Sequence, residues 1–336
     1  MAKTRKRKIN KKTFDLFSYL TWVTVALSFA VVADFFSDKS WFLDLFSHFV
    51  VQYAMLAVIL FLVFFFTHRY WLALLALLIF SSQAYQVIPY VIPGDKDDSK
   101  KYEEVNIIQY NVDRNNNDVE DTTRWIISNA ENADIVVLLE VNAKWEDSIR
   151  RIRWAYPYYV SKDMRGGRQM AIFSKLYVDD IEVKYLADEQ QPALVLRGAT
   201  VKNEVPFVIY GIHPSPPVLP SYAKKRNDLL VAAAESIAVE KQDHKILIAD
   251  FNSTAFSPWF KKMEKISGLN DSNIGLGHIN GTWPTVFNKF FGVNIDNMLI
   301  SNNIKVEHKE LGPDLGSDHY PVITNLKFML PENSNI

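Results

Sequence analysis

The chain has 336 residues, no cysteine and a formal net charge of −1. The lack of cysteine excludes disulfides, thiol nucleophiles and thiolate metal sites. Residues 1–92 hold nine Lys/Arg against four Asp/Glu and carry +5, which leaves −6 on the remainder. An acidic remainder argues against tight non-specific binding of long polyanions, because such binding needs a basic face.

The N-terminal part predicts a membrane anchor. A basic arm, residues 1–14, precedes three apolar stretches at 15–37, 42–66 and 69–91. Each is close to the 20 or so residues that span a bilayer, so we predict about three transmembrane helices that bind the lipid bilayer. A cleaved signal peptide is the competing interpretation, and it is disfavoured because further long apolar segments follow the first.

The distribution of Lys and Arg predicts the orientation of this anchor. Basic segments stay in the cytoplasm, so the N-terminus is predicted to be cytoplasmic and three crossings would place the rest of the chain outside the cytoplasm. If the third stretch does not cross, the rest of the chain is cytoplasmic. Asp44 and His48, early in the second stretch, are interpreted as interfacial polar residues.

A polar segment, residues 93–104, is interpreted as a linker to an α/β domain over residues 105–330, where short apolar runs alternate with amphipathic ones. Five of the apolar runs end in a polar residue able to do chemistry. They are VNIIQY at Asn111, DIVVLL at Glu140, PFVIYGI at His213, KILIA at Asp250 with Asn252 two residues further, and FFGVNI at Asp296.

A sixth element, GSDHYPV, places Asp318 and His319 at the start of a further strand-like run. A carboxylate at a strand end is costly to desolvate unless it is paired or binds a cation. If these ends meet at one edge, oxygen ligands without cysteine suit Mg²⁺ or Mn²⁺ better than zinc. Two histidines beside such an ion suit phosphoryl transfer to water.

The motifs IIQYNV, VVLLEV, YGIHP, IADFNST, NIDNMLIS and GSDHYPV resemble, in order and spacing, those of the endonuclease/exonuclease/phosphatase superfamily. The resemblance covers residues 103–328, and HPSPPV and GTWP are similar to its membrane-anchored bacterial branch. It implies a four-layer sandwich of two mixed β-sheets flanked by helices. It also implies a bacterial inner or plasma membrane location.

The resemblance implies a role for each site residue. Glu140 would be the principal metal ligand, with Asn111 and Asp318 on the metal side. Five residues would be catalytic. His213 would stabilise the phosphate or protonate the leaving oxygen, and Asp250 and Asn252 would contact water and phosphate. His319 would pair with Asp296. Whether Asp250 or the His319–Asp296 pair takes the proton of water stays open.

Two positions depart from the family pattern, with Ala249 in place of a glycine and Asn297 after Asp296 in place of a histidine. Substrate contacts are predicted at Arg168, in MRGGRQ, and Trp283, in GTWP, where Thr282 could also line the mouth of the cleft. The alternatives are a solvated hairpin turn and a structural tryptophan. Residues 224–226, KKR, are interpreted as a solvated helix face.

The function predicted is a membrane-anchored, divalent-metal-dependent phosphoesterase. It would hydrolyse a phosphodiester or phosphomonoester by in-line attack of water, with a nuclease as the default by family analogy. One alternative is an esterase of phospholipids or phosphosugars. Another is a non-catalytic, membrane-tethered ligand-binding module of the same fold. The sequence points to no protein partner.

Overall fold

The structure, a computed structural model, describes residues 2–91, 100–164, 168–187, 191–273, 277 and 280–331. Side chains are described from Leu16 onward, except those of residues 164 and 168. The chain divides into two compact units, Met1–Pro89 and Tyr90–Ile336, called the N-terminal and C-terminal units below.

The N-terminal unit is helical. Its helices are α1 (Ala2–Phe35), α2 (Trp41–Ser47), α3 (Val50–Phe66) and α4 (Tyr70–Val91). Two segments, Leu16–Phe35 and Tyr70–Val91, are each long and apolar enough to cross a membrane. The pair α2 and α3 passes the same test only when taken together, and it bends by 59°.

The predicted span at residues 42–66 thus consists of two helices joined at a bend, and whether they cross a membrane as one span stays a prediction. The helix breaks after Ser47, whose hydroxyl donates to the Asp44 carbonyl at 2.8 Å and lies 3.2 Å from the Asp44 carboxylate. Such short side-chain bonds to the backbone compete with helix continuation. Asp44, predicted to be interfacial, is buried within this unit.

In its described residues, the C-terminal unit contains two β-sheets and four α-helices. The helices are α5 (Val119–Asn129), α6 (Glu146–Ile152), α7 (Pro220–Ala238) and α8 (Pro258–Ser267). The strands are β1 (Tyr102–Asn111), β2 (Ile135–Val141), β3 (Tyr158–Met164), β4 (Arg168–Ser174), β5 (Tyr177–Lys184), β6 (Ala193–Ala199), β7 (Pro206–Ile212), β8 (His244–Asp250), β9 (Asn270–Asp271), β10 (Asp296–Ile300), β11 (Ile304–Leu311) and β12 (Val322–Met329).

Each sheet has six strands. The first has the order β11-β12-β1-β2-β4-β3, and the second has the order β5-β6-β7-β8-β10-β9. Strands β1 and β2 run parallel, as do β7 and β8, whereas the remaining neighbours are antiparallel. Both sheets are thus mixed, and each parallel pair brings two strand ends to the same edge.

The core lies between the sheets. Alternate residues of the central strands face inward, such as Val137 and Ile172 from the first sheet and Ile209 and Ile248 from the second. The outer face of the first sheet is covered by α5 and α6, and that of the second sheet by α7 and α8. Apolar faces buried in this way give four layers, which confirms the predicted fold class.

Candidate active site

The two sheets meet through their strand ends at Asn111 and Asp250. Asn111 ends β1 of the first sheet and Asp250 ends β8 of the second. The Asn111 amide donates to the Asp250 carboxylate at 3.0 Å and lies 3.4 Å from Nε2 of His319. All three side chains are buried, so this contact fixes their relative positions.

His319 forms a buried pair with Asp296. Its Nδ1 lies 2.7 Å from the Asp296 carboxylate, which orients the ring. Its Nε2 points towards Asp250, at 3.8 Å. Although burial alone would lower the pKa of His319, the carboxylates of Asp296, Asp250 and Asp318 raise it to about 10. The surrounding carboxylates therefore favour the protonated form of His319.

The prediction that a strand ends at Asp296 is wrong, because β10 begins there. Strand β10 runs antiparallel to β8, and Asp296 lies directly opposite Asp250 in the register. The start of one strand and the end of the other consequently share an edge, so Asp296 still reaches the site. The hydroxyl of Thr282 accepts the Asp296 backbone N–H at 3.1 Å. Thr282 is thus buried and structural, and it does not line the mouth of the cleft.

Asp250 is buried but stays ionised. Burial raises the pKa of its carboxyl, yet the imidazole of His213, 3.6 Å away, and the charge of His319 outweigh that effect and lower it. The backbone N–H of Asn252 also donates to Asp250, at 2.9 Å. A carboxylate with several donors is favoured in its charged form.

Glu140 reaches the site from an irregular strand. The pairing of β2 with β4 shifts register between Leu138 and Val141, and Glu140 in this bulge has a φ of +60°. A bulge redirects a side chain, and a left-handed non-glycine residue costs energy that is commonly found at functional sites. The Glu140 carboxylate lies 3.7 Å from Nε2 of His213.

His213 follows β7 and faces two carboxylates. Its Nε2 lies 3.6 Å from Asp250 as well as 3.7 Å from Glu140. Gln191 holds the His213 carbonyl with a 3.0 Å hydrogen bond. The Asn252 side chain donates to the next carbonyl, that of Pro214, at 3.1 Å. These two bonds hold the backbone at His213, and its imidazole lies in the gap between the ends of β2 and β8.

Asp318 lies at the rim, with half of its side chain exposed. The indole N–H of Trp283 donates to its carboxylate at 2.9 Å. The adjacent Ser317 donates to the Asn111 carbonyl at 2.7 Å and accepts the His319 backbone N–H at 3.0 Å. The strand that follows begins only at Val322, so Asp318 and His319 belong to a loop that these bonds hold in place.

Arg226 was predicted on a solvated helix face and is instead completely buried. Its guanidinium donates to the Asn252 carbonyl at 3.1 Å, which supports the turn after Asp250 from behind. The signal was present in the sequence, because Arg226 falls on the same helical stripe as Ala223, Leu230 and Ala233. Sequence reasoning also missed Gln191.

The predicted substrate contact at Arg168 stays a prediction. Arg168 begins β4, but its side chain and residues 165–167 lie outside the described residues. Trp283, the second predicted contact, is partly exposed beside the His319 ring, with ring centroids 6.5 Å apart. Its bond to Asp318 gives this tryptophan a structural role within the site itself.

The site fits a hard divalent cation. Four carboxylates (Glu140, Asp250, Asp296 and Asp318) gather around two histidines, so negative charge is in excess and a cation would compensate it. The ligand atoms of Asp250, Asp296 and His319 lie within 4.8 Å of one another. Because His319 is already bonded to Asp296, the carboxylate oxygens are the groups left for an ion, and oxygen ligands are typical of hard divalent cations.

The model of the endonuclease/exonuclease/phosphatase family matches residues 108–319, more than half of the chain. The chain belongs to this family. The matched range contains every predicted site residue from Asn111 to His319. No curated protein matches the sequence significantly.

Solved structures of the family share the fold. An endonuclease/exonuclease/phosphatase family protein from Bacteroides thetaiotaomicron is 16% identical, with a TM-score of 0.53, covering 68% of this chain and 99% of that one. The D. rerio TDP2 complexed with single-strand DNA product is 16% identical, with a TM-score of 0.53 and coverage of 67% and 99%. The human nocturnin catalytic domain with bound sulfate is 16% identical, with a TM-score of 0.51 and coverage of 68% and 97%.

Proposed function

We propose that the protein is a membrane-anchored phosphoesterase that uses a divalent metal to drive attack of water on a phosphate ester. The observation that supports this most is the buried cluster in which the Asn111 amide donates to Asp250, while His319, 3.4 Å from that amide, pairs with Asp296. A binding module needs no such arrangement of an ionised carboxylate beside an oriented imidazolium.

Each residue has a chemical task in this proposal. Asp250, kept ionised by its donors, orients the attacking water and accepts its proton. His319, kept charged by Asp296, stabilises the negative charge that builds up on the phosphate oxygens. His213 faces the same centre and donates to the phosphate or to the leaving oxygen.

Glu140 and Asp318 would hold the metal, and Asn111 would position its neighbours, because its amide donates to Asp250. When bound, the ion neutralises charge on the phosphate and polarises the P–O bond. The left-handed backbone at Glu140 directs that carboxylate into the site. Chelation by EDTA should abolish hydrolysis, and Mg²⁺ or Mn²⁺ should restore it.

The full chain in detergent micelles, assayed with Mg²⁺ on bis(p-nitrophenyl) phosphate, tests the activity. Glu140→Gln and His319→Ala should each lower kcat/KM by a factor of about 10³ or more, since each removes a group acting on the transition state. His308→Ala is the matched control, because His308 is exposed and pairs only with Glu310 at the surface among the described contacts. Wild-type rates in the Glu140→Gln and His319→Ala variants would refute this assignment of the site, whereas no hydrolysis by the wild type would favour the ligand-binding module.

The natural substrate requires a separate screen of plasmid DNA, RNA, sphingomyelin, phosphoinositides and small phosphate monoesters. Family analogy makes a nuclease the default. A phospholipid or phosphosugar esterase is the second candidate, supported by the apolar helices of the N-terminal unit. Release of phosphate or headgroup from lipids, without cleavage of nucleic acid, would identify the protein as a phospholipid esterase.

The side of the membrane depends on the bent pair α2–α3. If the pair crosses as one span, three crossings place the C-terminal unit outside the cytoplasm, as we propose. If it re-enters the same side, the two crossings by α1 and α4 return the C-terminal unit to the side of the N-terminus. A C-terminal reporter that is active only in the cytoplasm should stay silent, and activity would refute the three-crossing arrangement.

A further inference from the structure

Two apolar loops flank the active site and have no task in the proposed reaction. The aromatic loop, residues 281–293, leads into β10, and the proline loop, residues 214–219, follows His213. Both emerge from the edge of the second sheet that carries Asp250. Their exposed apolar residues are Val286, Phe287, Phe290 and Phe291 on the aromatic loop and Val218 and Leu219 on the proline loop.

The bases of both loops are fixed to the site. In the aromatic loop, the N–H of Val293 donates to the Trp283 carbonyl at 2.6 Å, and the N–H of Thr285 donates to the Asp318 carbonyl at 2.9 Å. In the proline loop, Pro214 accepts a bond from Asn252. The apolar tips are therefore presented from rigid supports beside the catalytic groups.

Four exposed apolar side chains, Val286, Phe287, Phe290 and Phe291, lie within six residues of the aromatic loop. Val286 is 80% exposed and Phe287 60% exposed, whereas Phe207, Phe251 and Phe328 of the same unit are completely buried. Large apolar side chains that gather at the surface in this way mark an interaction site. The partner must offer an apolar surface to several phenylalanines and aliphatic residues at once.

The composition of the loops favours lipid over nucleic acid. The aromatic loop, GTWPTVFNKFFGV, has Lys289 as its single charged residue, and the proline loop, PSPPVL, has none. Single-stranded nucleic acids need a basic groove along the backbone in addition to aromatic stacking, and Val and Leu offer no face for stacking. Phe, Trp and Leu with an occasional Lys are typical of segments that enter a membrane interface.

The chain also keeps the C-terminal unit near a bilayer. Helix α4, which is long and apolar enough to cross a membrane, ends at Val91, and β1 begins at Tyr102. Whatever its conformation, the connecting segment of ten residues, 92–101, spans at most about 35 Å. A lipid surface is thus always within reach of this unit once α4 is in the membrane.

We propose that the aromatic loop and the proline loop insert into the surface of a lipid bilayer and set the active-site edge against it. The chain lacks cysteine, so single cysteines can be placed without background. Phe287→Cys and Val218→Cys, labelled with an environment-sensitive fluorophore in the full chain in nanodiscs, report on the two tips. Val201→Cys, in the turn between β6 and β7 at the opposite edge, is the matched control.

Labels at 287 and 218 should be quenched by nitroxide-bearing lipids and shielded several-fold from iodide, while the label at 201 should show the reverse. Equal iodide access at all three positions would overturn the proposal. Protection of the 287 and 218 labels by an oligo(dT) strand, without quenching by lipid, would assign the loops to nucleic acid instead.

A second measurement separates docking from folding and catalysis. Phe287→Ser with Phe291→Ser should reduce lipid quenching of the 218 label several-fold, while hydrolysis of bis(p-nitrophenyl) phosphate stays unchanged. Unreduced quenching at 218 in this variant would refute a role for the aromatic loop. Absence of hydrolysis in the wild type would count against the proposed reaction and leave the docking result intact.

Discussion

Replacing Asp296 with Asn tests the pair that orients His319. Asn keeps the shape and an oxygen that can accept the Nδ1–H, but it removes the charge from a contact of 2.7 Å between two buried side chains. In a catalytic triad, replacing the Asp that orients the histidine with Asn lowers kcat by about 10⁴ while the geometry stays intact. We expect kcat/KM to fall here by about 10²–10⁴, which is about 3–5 kcal/mol of transition-state stabilisation.

The fold should survive this change, because the Thr282 hydroxyl bonds the backbone N–H of residue 296 and is indifferent to the side chain. The assay is hydrolysis of bis(p-nitrophenyl) phosphate by the full chain, with thermal unfolding as the folding check. Asp228→Asn, at an exposed pair with Lys224, is the matched control and should keep wild-type activity.

A double variant sharpens the test. If Asp296 acts only through His319, Asp296→Asn added to His319→Ala should cost nothing further, because residues that act as one unit are not additive. Additive losses would show that Asp296 has an independent role, such as holding the metal together with Asp250. Asp296→Asn with more than a third of wild-type activity would refute the reasoning altogether.

Three further predictions concern the supports of the site and the fold. Arg226→Met should lower the free energy of unfolding, measured by denaturant titration, by about 1–3 kcal/mol, because it leaves the Asn252 carbonyl without its buried donor. The control Lys224→Met, at an exposed position, should change the free energy of unfolding by less than about 0.5 kcal/mol. Hydrogen bonding by Arg197 lowers the pKa of Glu240 to about 2, so stability should fall as pH drops from about 4.5, the unfolded value, to about 2. In the Glu240→Gln variant, the melting temperature should depend less on pH across this range. Gly316→Ala should destabilise the loop before His319 and reduce activity, since φ is +82° and the new Cβ would lie 2.4 Å from the Asp118 carboxylate; a melting temperature and a rate equal to wild type would contradict this.

Much of the site follows from one regularity of the sequence. Apolar runs long enough to be buried strands end at Asn111 and Asp250, and the run before His213 does the same, so the candidate residues could be chosen without coordinates. Parallel neighbours β1–β2 and β7–β8 then bring these ends to common edges. The four-layer order follows because each sheet needs a covering layer on its outer face.

What could not be predicted lies where backbone geometry departs from the pattern. Glu140 adopts a left-handed conformation in a bulge, and no neighbouring glycine marks that position. The run FFGVNI has the composition of a strand, yet Phe290 and Phe291 are exposed and the strand begins only at Asp296. Gly292, which packs against Gly281, was the single local sign that this run folds as a loop.

The break within residues 42–66 also could not be predicted from the amino-acid composition. An apolar stretch of this length satisfies the span criterion whether it is straight or bent, since hydropathy carries no information on direction. Only Asp44 and Ser47, three residues apart, pointed to a local bond that ends the first helix. The number of crossings, and hence the side of the C-terminal unit, depends on this feature.

The pairing of β1 with β12 joins the first and the last strands of the C-terminal unit. The groups of the site are spread along the chain from Asn111 to His319, so the ribosome must release the chain through residue 319 before they can assemble. Any product of translation that stops before residue 319 lacks His319, and we expect it to be inactive in the proposed reaction. The helices of the N-terminal unit therefore leave the ribosome well before the proposed site can assemble.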